Sequence, residues 1–164
     1  MGGRAIVRVQ REPFDAAAES AALSAGRTDV GAVVTFTGLC RDEAGKLARL
    51  DLEHYPGMAE AELSRVAEDA LQRWPLLGLT IVHRYGPIHP GEPIVLVVSA
   101  SSHRTAAFEA AQFLMDYLKS NAPFWKKEVL AEGAPGGWVA AKRDDETALA
   151  RWSGMEAHAG SGEE

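Results

Sequence analysis

Cysteine is almost missing from this sequence. Cys40 stands alone, so the chain can form no internal disulfide, and thiol-pair or zinc-ribbon chemistry has no second sulfur to use. A reducing cytoplasm is the simplest expectation. Metal-ligand spacing is missing as well: His54, His83, His89, His103 and His158 show no HxxxH or comparable arrangement, so neither a metal nor a resident cofactor is expected. Positive charge is in deficit. Seventeen Lys and Arg against 23 Asp and Glu leave a formal charge of −6, which argues against a general nucleic-acid binder and makes any basic site local. Long apolar runs are absent too. The longest, "PIVLVVSA", is far too short to span a bilayer, and "MGGRAIVRVQ" has no signal-peptide core. The expectation is a cytosolic protein with no membrane association.

What remains is ordinary globular material. With 164 residues, 46% of them hydrophobic, the chain can bury one real core but hardly two. A single domain over residues 1–152 is expected, with the small, polar residues 153–164 as a disordered tail. "AIVRVQ" (5–10) reads as a strand and the alanine-rich 14–23 as a helix closed by Gly26. "GAVVTFTG" (31–38) and "LARLDLEHY" (47–55) alternate as half-buried strands do. Apolar residues at 59, 63, 66, 67, 70, 71 and 74 have helical period, and Pro75 ends that helix. A strand over 79–93 runs into a turn at "HPG", and "IVLVVSA" (94–100) is apolar throughout, as a central strand covered on both faces would be. Residues 101–123 form the strongest helix, with a serine cap at its start and Asn121 and Pro123 as stop signals. Two closing strands, 124–130 and 137–142, flank the turn "EGAPGG". This order predicts an α+β fold of the hammerhead kind: a largely antiparallel β-sheet with packed α-helices.

The charges are least ordinary in "KSNAPFWKKE" (119–128), where three lysines, two aromatics and a proline crowd the end of a helix in an acidic chain. Lys119 could simply complement the negative end of the helix dipole. Lys126 and Glu128 share one strand face with Lys127 on the other, and lysines there could merely guard a sheet edge. Yet clustered cations beside Phe124 and Trp125 are also how a lysine becomes a usable base or nucleophile, because partial desolvation and like charge both lower its pKa. Arg41, in a glycine-bounded loop at a strand end, is placed to fork onto a phosphate or carboxylate. His103 and Arg104 stand in the first turn of the long helix, where cations oppose the dipole and an anion would offset them.

These segments are similar to the large, catalytic subunit of molybdopterin synthase. "VVTFTGLCRD", "LEHYPGMAE", "HRYGPIHPGE", "SSHRTAAFEA" and "MDYLKSNAPFWKKE" carry the resemblance over about residues 30–130, with weaker agreement through "GWVAAK" towards Trp152. The resemblance implies a sulfurtransferase of molybdenum cofactor biosynthesis. Two sulfurs would pass from the thiocarboxylated Gly-Gly C-terminus of a small ubiquitin-like, MoaD-like carrier subunit to cyclic pyranopterin monophosphate, forming a dithiolene. It implies a substrate site of Leu39, Cys40, Arg41, His103, Arg104, Lys119, Lys126, Lys127 and Glu128, with Phe36 and Met115 as apolar wall. Lys119 would be the principal acid/base or transient nucleophile, and Lys126 would position substrate and stabilise charge. It implies a homodimer within a heterotetramer. "EGAPGGW" departs from the expected shorter turn, so whether Lys142 or Arg143 reaches the site stays open. Two other readings use the same residues: a non-catalytic module for a ubiquitin-like tail, which needs no anion site at His103 and Arg104, and a phosphate-binding regulatory domain, which needs no apolar tunnel. His103 and Lys119 lie sixteen residues apart on one helix, about 24 Å at 1.5 Å per residue. One substrate cannot bridge that span: either the two sets of cations serve different sites, or, the option favoured here, a dimer brings one subunit's helix start against the other's helix end.

Overall fold

The computed structural model describes residues 2–131, 135–138 and 148–153. Its elements run β1 (Arg4–Gln10), α1 (Ala16–Ser24), β2 (Ala32–Leu39), β3 (Leu47–His54), α2 (Met58–Arg73), β4 (Leu76–Arg84), β5 (Gly86–Ile88), β6 (Pro93–Ser101), α3 (Arg104–Ser120), β7 (Phe124–Leu130) and β8 (Pro135–Trp138). The strands divide between two four-stranded sheets, ordered β1-β4-β6-β2 and β5-β3-β7-β8. Among the described residues every pairing is antiparallel except β1 with β4. The α+β, antiparallel character matches the sequence reading; the division into two sheets does not follow from it.

Strand period organises the core. In β6, Val95 and Val97 face the cluster that holds Leu63, Val66 and Ala70 of α2 and Ala110 and Leu114 of α3. Leu96, Val98 and Ala100 face the opposite way, against Leu23 of α1 and Phe14. β4 repeats the pattern, with Leu79 and Ile81 towards α2 and α3 and Val82 towards α1. Both strands are therefore buried on two faces, which is why "IVLVVSA" shows no alternation. The second sheet docks through Leu50, Leu52 and Ile88, which join the larger cluster.

Local signals set the ends. Asp15 caps α1 by accepting from the Ala18 amide at 3.0 Å, and Glu60 reaches back to the Gly57 amide at 2.7 Å to begin α2. The strand expected over 79–93 breaks at Gly86, whose φ of +87° suits glycine and turns the chain from the first sheet into β5 of the second. The serine cap expected for α3 is not formed. His103 occupies the cap position without a side-chain bond; the serines stand before it, Ser101 donating to the Pro75 carbonyl (2.9 Å) and accepting from the His103 amide (3.5 Å), and Ser102 donating to the Asp29 carbonyl (3.2 Å). The "EGAPGG" turn is also shortened: Pro135 to Gly137 already belong to β8, with Pro135 opposite Val129. The rest of that turn, the far half of the closing strand and residues 154–164 of the expected tail lie outside the described residues.

Trp152 belongs to the larger core although it follows the last strand. Its ring packs edge-on against Trp74 and Phe113, and its indole N–H donates to the Asp116 carboxylate at 2.6 Å. Replacing it by Phe keeps most of the packing and deletes that donor to a buried carboxylate, so Trp152→Phe should lose about 1–3 kcal/mol of unfolding free energy in urea titrations. Trp152→Ala, which also opens a cavity, should lose about 3–5 kcal/mol. An unchanged midpoint for Trp152→Phe would show that the hydrogen bond contributes nothing.

Candidate active site

A cavity of about 740 Å³ opens where the end of β2, the start of β6, the last turn of α3 and β7 converge. From α3, Met115, Leu118 and Lys119 lie on one face, three and four residues apart. From β7, Phe124, Lys126, Glu128 and Leu130 stand at every second position, and Trp125 joins the lining from between the first two. Lys127 points to the other face and does not line the cavity. Gly38 and Leu39 of β2, Ile94 and Val95 of β6, and Arg41, Glu43 and Lys46 from the β2–β3 loop complete the walls and mouth.

The cavity is cationic inside an anionic protein. Arg41, Lys46, Lys119 and Lys126 outnumber Glu43 and Glu128. Arg41 pairs with Glu43 at 2.6 Å, but both side chains are about three-quarters exposed (74% and 77%), so this rim pair adds little stability and can yield to a ligand. Lys119 and Lys126 line the same space as Met115, Leu118, Val95 and Phe124, so cations and apolar walls meet in one cavity.

Residues named from the sequence distribute unevenly. Leu39, Arg41, Met115, Lys119, Lys126 and Glu128 come together at the cavity. Cys40 is only 2% exposed, packs in the core outside the lining, and has its thiol pKa raised, chiefly by burial. Its backbone does the visible work: its amide donates to the Glu92 carbonyl (2.8 Å) and its carbonyl accepts from Gly91 (2.7 Å), tying the "HPG" turn to the end of β2. Phe36 is 39% exposed and lies outside the lining. His103 and Arg104 are exposed at the opposite end of α3 from Lys119, outside this cavity. Lys142 and Arg143 lie outside the described residues. A smaller groove of about 400 Å³ runs past Arg11, Glu53, His54 and Tyr85 on the second sheet.

His83 lines the cavity and was not singled out from the sequence. Its ring is stacked on Phe124, with centroids 3.7 Å apart and planes at 12°. Burial pushes its pKa down to about 3; the hydrogen bond to the Arg84 carbonyl works against that, and Lys126, Lys119 and His54 add to it. The available signal was strand parity: 83 shares the odd face of β4 with Leu79 and Ile81, the face turned to α3.

A family model described as MoaE protein matches residues 9–121. The molybdopterin synthase catalytic subunit of Mesorhizobium japonicum is 68% identical over 146 residues, covering 89% of this chain and 92% of that protein. Among solved structures, the molybdopterin biosynthesis MoaE protein of Burkholderia ambifaria is 46% identical with a TM-score of 0.78, covering 93% of this chain and 100% of that one. A complex of subunits 1 and 2 of molybdopterin-converting factor from Helicobacter pylori matches with a TM-score of 0.64 over 84% of this chain and 90% of that one; at 22% identity it shows likeness of fold alone.

Gly38 sets the width of the mouth. A Cβ there would lie 2.7 Å from Cγ1 of Val95, its partner across the β2–β6 ladder, and one residue on the register shifts. Gly38→Ala should force the strands apart and displace Leu39 and Arg41, costing about 1–3 kcal/mol of stability. Urea unfolding checks the cost, and backbone amide shifts confined to residues 36–41 and 93–96 would check the displacement. Wild-type stability and an unshifted spectrum would contradict it.

Proposed function

The chain belongs to the MoaE family, whose curated relatives are molybdopterin synthase catalytic subunits, enzymes that transfer sulfur; on that premise we propose that the cavity between α3 and β7 is where the transfer takes place. The substrate is cyclic pyranopterin monophosphate, and the sulfur arrives as the thiocarboxylate at the Gly-Gly end of a small ubiquitin-like carrier subunit. What supports the placement is the convergence of two lysines from different elements, Lys119 and Lys126, on one apolar-walled space.

The chemistry asks for that combination. As sulfur leaves the acyl carbon for the pterin, the carrier's terminal carbonyl must be taken up by water or by an amine, and negative charge develops on its oxygen. Lys119 is the acid/base or transient nucleophile beside that carbon. Lys126 stabilises the charge and positions the substrate, and Glu128, two residues on along the same strand face, orients a lysine. Met115, Leu118 and Phe124 keep water from hydrolysing the thiocarboxylate early. Arg41 at the mouth takes an anionic group of the substrate.

His103 and Arg104 enter through a second copy of the chain. They hold the pterin and its phosphate in the partner's cavity, within a homodimer that carries one small subunit on each protomer. What supports this is the length of α3, whose two ends are too far apart for one substrate. The cytoplasm is the compartment this chemistry suits; among the described residues no helix is long and apolar enough to cross a membrane.

Mixed with thiocarboxylated carrier and substrate, the protein should yield a pterin that has gained two sulfurs by mass spectrometry; no product would refute the placement and the activity together. Lys119→Ala should lower product formation at least a hundredfold while keeping stability within about 1 kcal/mol, since the side chain is exposed at a helix end. Activity within a few-fold of wild type would remove Lys119 from its role. Subunit exchange between inactive His103→Ala and Lys119→Ala proteins should restore activity, because one pocket of each mixed dimer then carries neither defect. Mixed dimers without activity would contradict the shared site.

A further inference from the structure

Strand pairing gathers a group of exposed aromatics on the outer face of the second sheet. Tyr55, Met58 and Trp138 are each more than half exposed, and Trp125 is nearly so. Tyr55 follows β3 directly and meets the Trp125 ring edge-on, with centroids 5.2 Å apart. Its carbonyl accepts from the Ala59 amide at 3.1 Å, which ties it to the first turn of α2, where Met58 stands. Trp138 lies opposite Lys127 in the ladder, and Lys127 is two residues from Trp125, so the two tryptophans leave the sheet on the same side. Trp, Tyr and Met are residue types that protein interfaces concentrate, and an isolated chain gains nothing by grouping them in water. The charges among them have both signs. Glu53 lies opposite Trp125, Asp51 opposite Lys127, and Arg49 donates to Asp51 at 2.9 Å. An apolar patch in a mixed polar surround suits a partner that docks and leaves better than a permanent core contact.

Trp125 links this face to the reaction site, because it also lines the cavity beside Phe124 and Lys126. A partner that sends its tail past this rim must rest its body on a surface bordering the mouth. Two fully extended glycines span only about 7 Å, so the folded part of the carrier cannot stand far away. Exposed apolar side chains border the mouth on two sides, Leu39 of β2 and Trp125 of β7. On the shared-site reading the β2 side goes to the second copy. β2 is an edge strand that runs from Ala32, opposite Ser101 just before α3, to Leu39 at the cavity. Two copies laid antiparallel along it would bring His103 of one to the cavity of the other. The β7 side is left for the carrier.

We propose that the face formed by Tyr55, Met58, Trp125 and Trp138 is the docking surface for the folded body of the small carrier subunit, which meets it through an apolar patch beside its tail. The proposal rests on the placement of the reaction in this cavity. It also gives Lys127 a place. Turned away from the cavity, that lysine faces the carrier's body and not the substrate.

The test uses the full chain and its small subunit with an ordinary carboxylate end, so that binding is read without turnover. Tyr55→Ala and Trp138→Ala should each raise the dissociation constant in calorimetry about tenfold or more, and Met58→Ser should raise it less. If Tyr55→Ala fails to fold, because its ring braces Trp125, then Trp138→Ala and Met58→Ser decide. With thiocarboxylated carrier, KM for the carrier should rise by a similar factor while kcat at saturation stays within about twofold of wild type. A short peptide ending in the thiocarboxylated Gly-Gly tail has no body to dock, so wild type and variants should use it equally. Unchanged carrier affinity in the variants would overturn the proposal. Variants that keep the carrier but lose self-association in light scattering would give this face to the second copy, and equal losses with the short peptide would place the defect in the cavity; either result also overturns it. Absence of product from the wild-type complex would instead refute the placement of the reaction, and calorimetry would still judge the docking surface.

Discussion

The stack of Phe124 on His83 is the contact on which the site depends. It joins the first residue of β7, in one sheet, to the penultimate residue of β4, in the other, at a centroid distance of 3.7 Å. His54 of β3 also stacks with Phe124, at 5.9 Å, so the ring has a partner in each of the two sheets. With that ring fixed, strand period leaves β7 no choice: Lys126 and Glu128 must share its face and look towards the last turn of α3. The antiparallel pairing of β7 with β3 sets the depth, because Lys126 lies opposite Leu52 and Glu128 opposite Leu50, both buried.

The second condition is electrostatic. An acidic protein keeps four cations around one cavity by spreading them over a loop, a helix end and a strand, so that no single element carries the whole repulsion. Lys119 is the cheapest of them, since the negative end of α3 favours it before any ligand arrives. His83 shows the opposite solution to the same problem. A titratable group lining the same cavity stays neutral because burial pushes its pKa down to about 3, so it adds no further charge.

Much of this was legible because the signals are local. The helical period of 59–74, the proline after Trp74 and the unbroken apolar run of β6 each reflect packing within reach of their own residues. The lysines of "KSNAPFWKKE" stood out because their charge disagrees with their surroundings, and period two already separated Lys127 from Lys126. What was hidden depends on distant partners. The split into two sheets turns on a left-handed bend at Gly86 and on the pairing of β5 with β3, neither of which leaves a pattern in its own segment. The serines before α3 read as caps because their identity is right; they stand one and two residues ahead of the cap position, and their hydroxyls donate to the carbonyls of Pro75 and Asp29, far away in sequence. A lone histidine in an apolar strand looks the same whichever element covers it, so His83 could not be distinguished from a core residue until β7 was in place.

We propose that the reacting end of the carrier lies between Lys119 and Lys126. The most direct measurement is a crystal structure of this chain bound to the small subunit with its Gly-Gly tail. The terminal carbon should lie in the cavity with a lysine Nζ about 3.5 Å away, beneath the wall formed by Met115 and Phe124. A tail seated instead in the groove past Arg11, His54 and Tyr85, or one that stops at the Arg41–Glu43 rim, would contradict it.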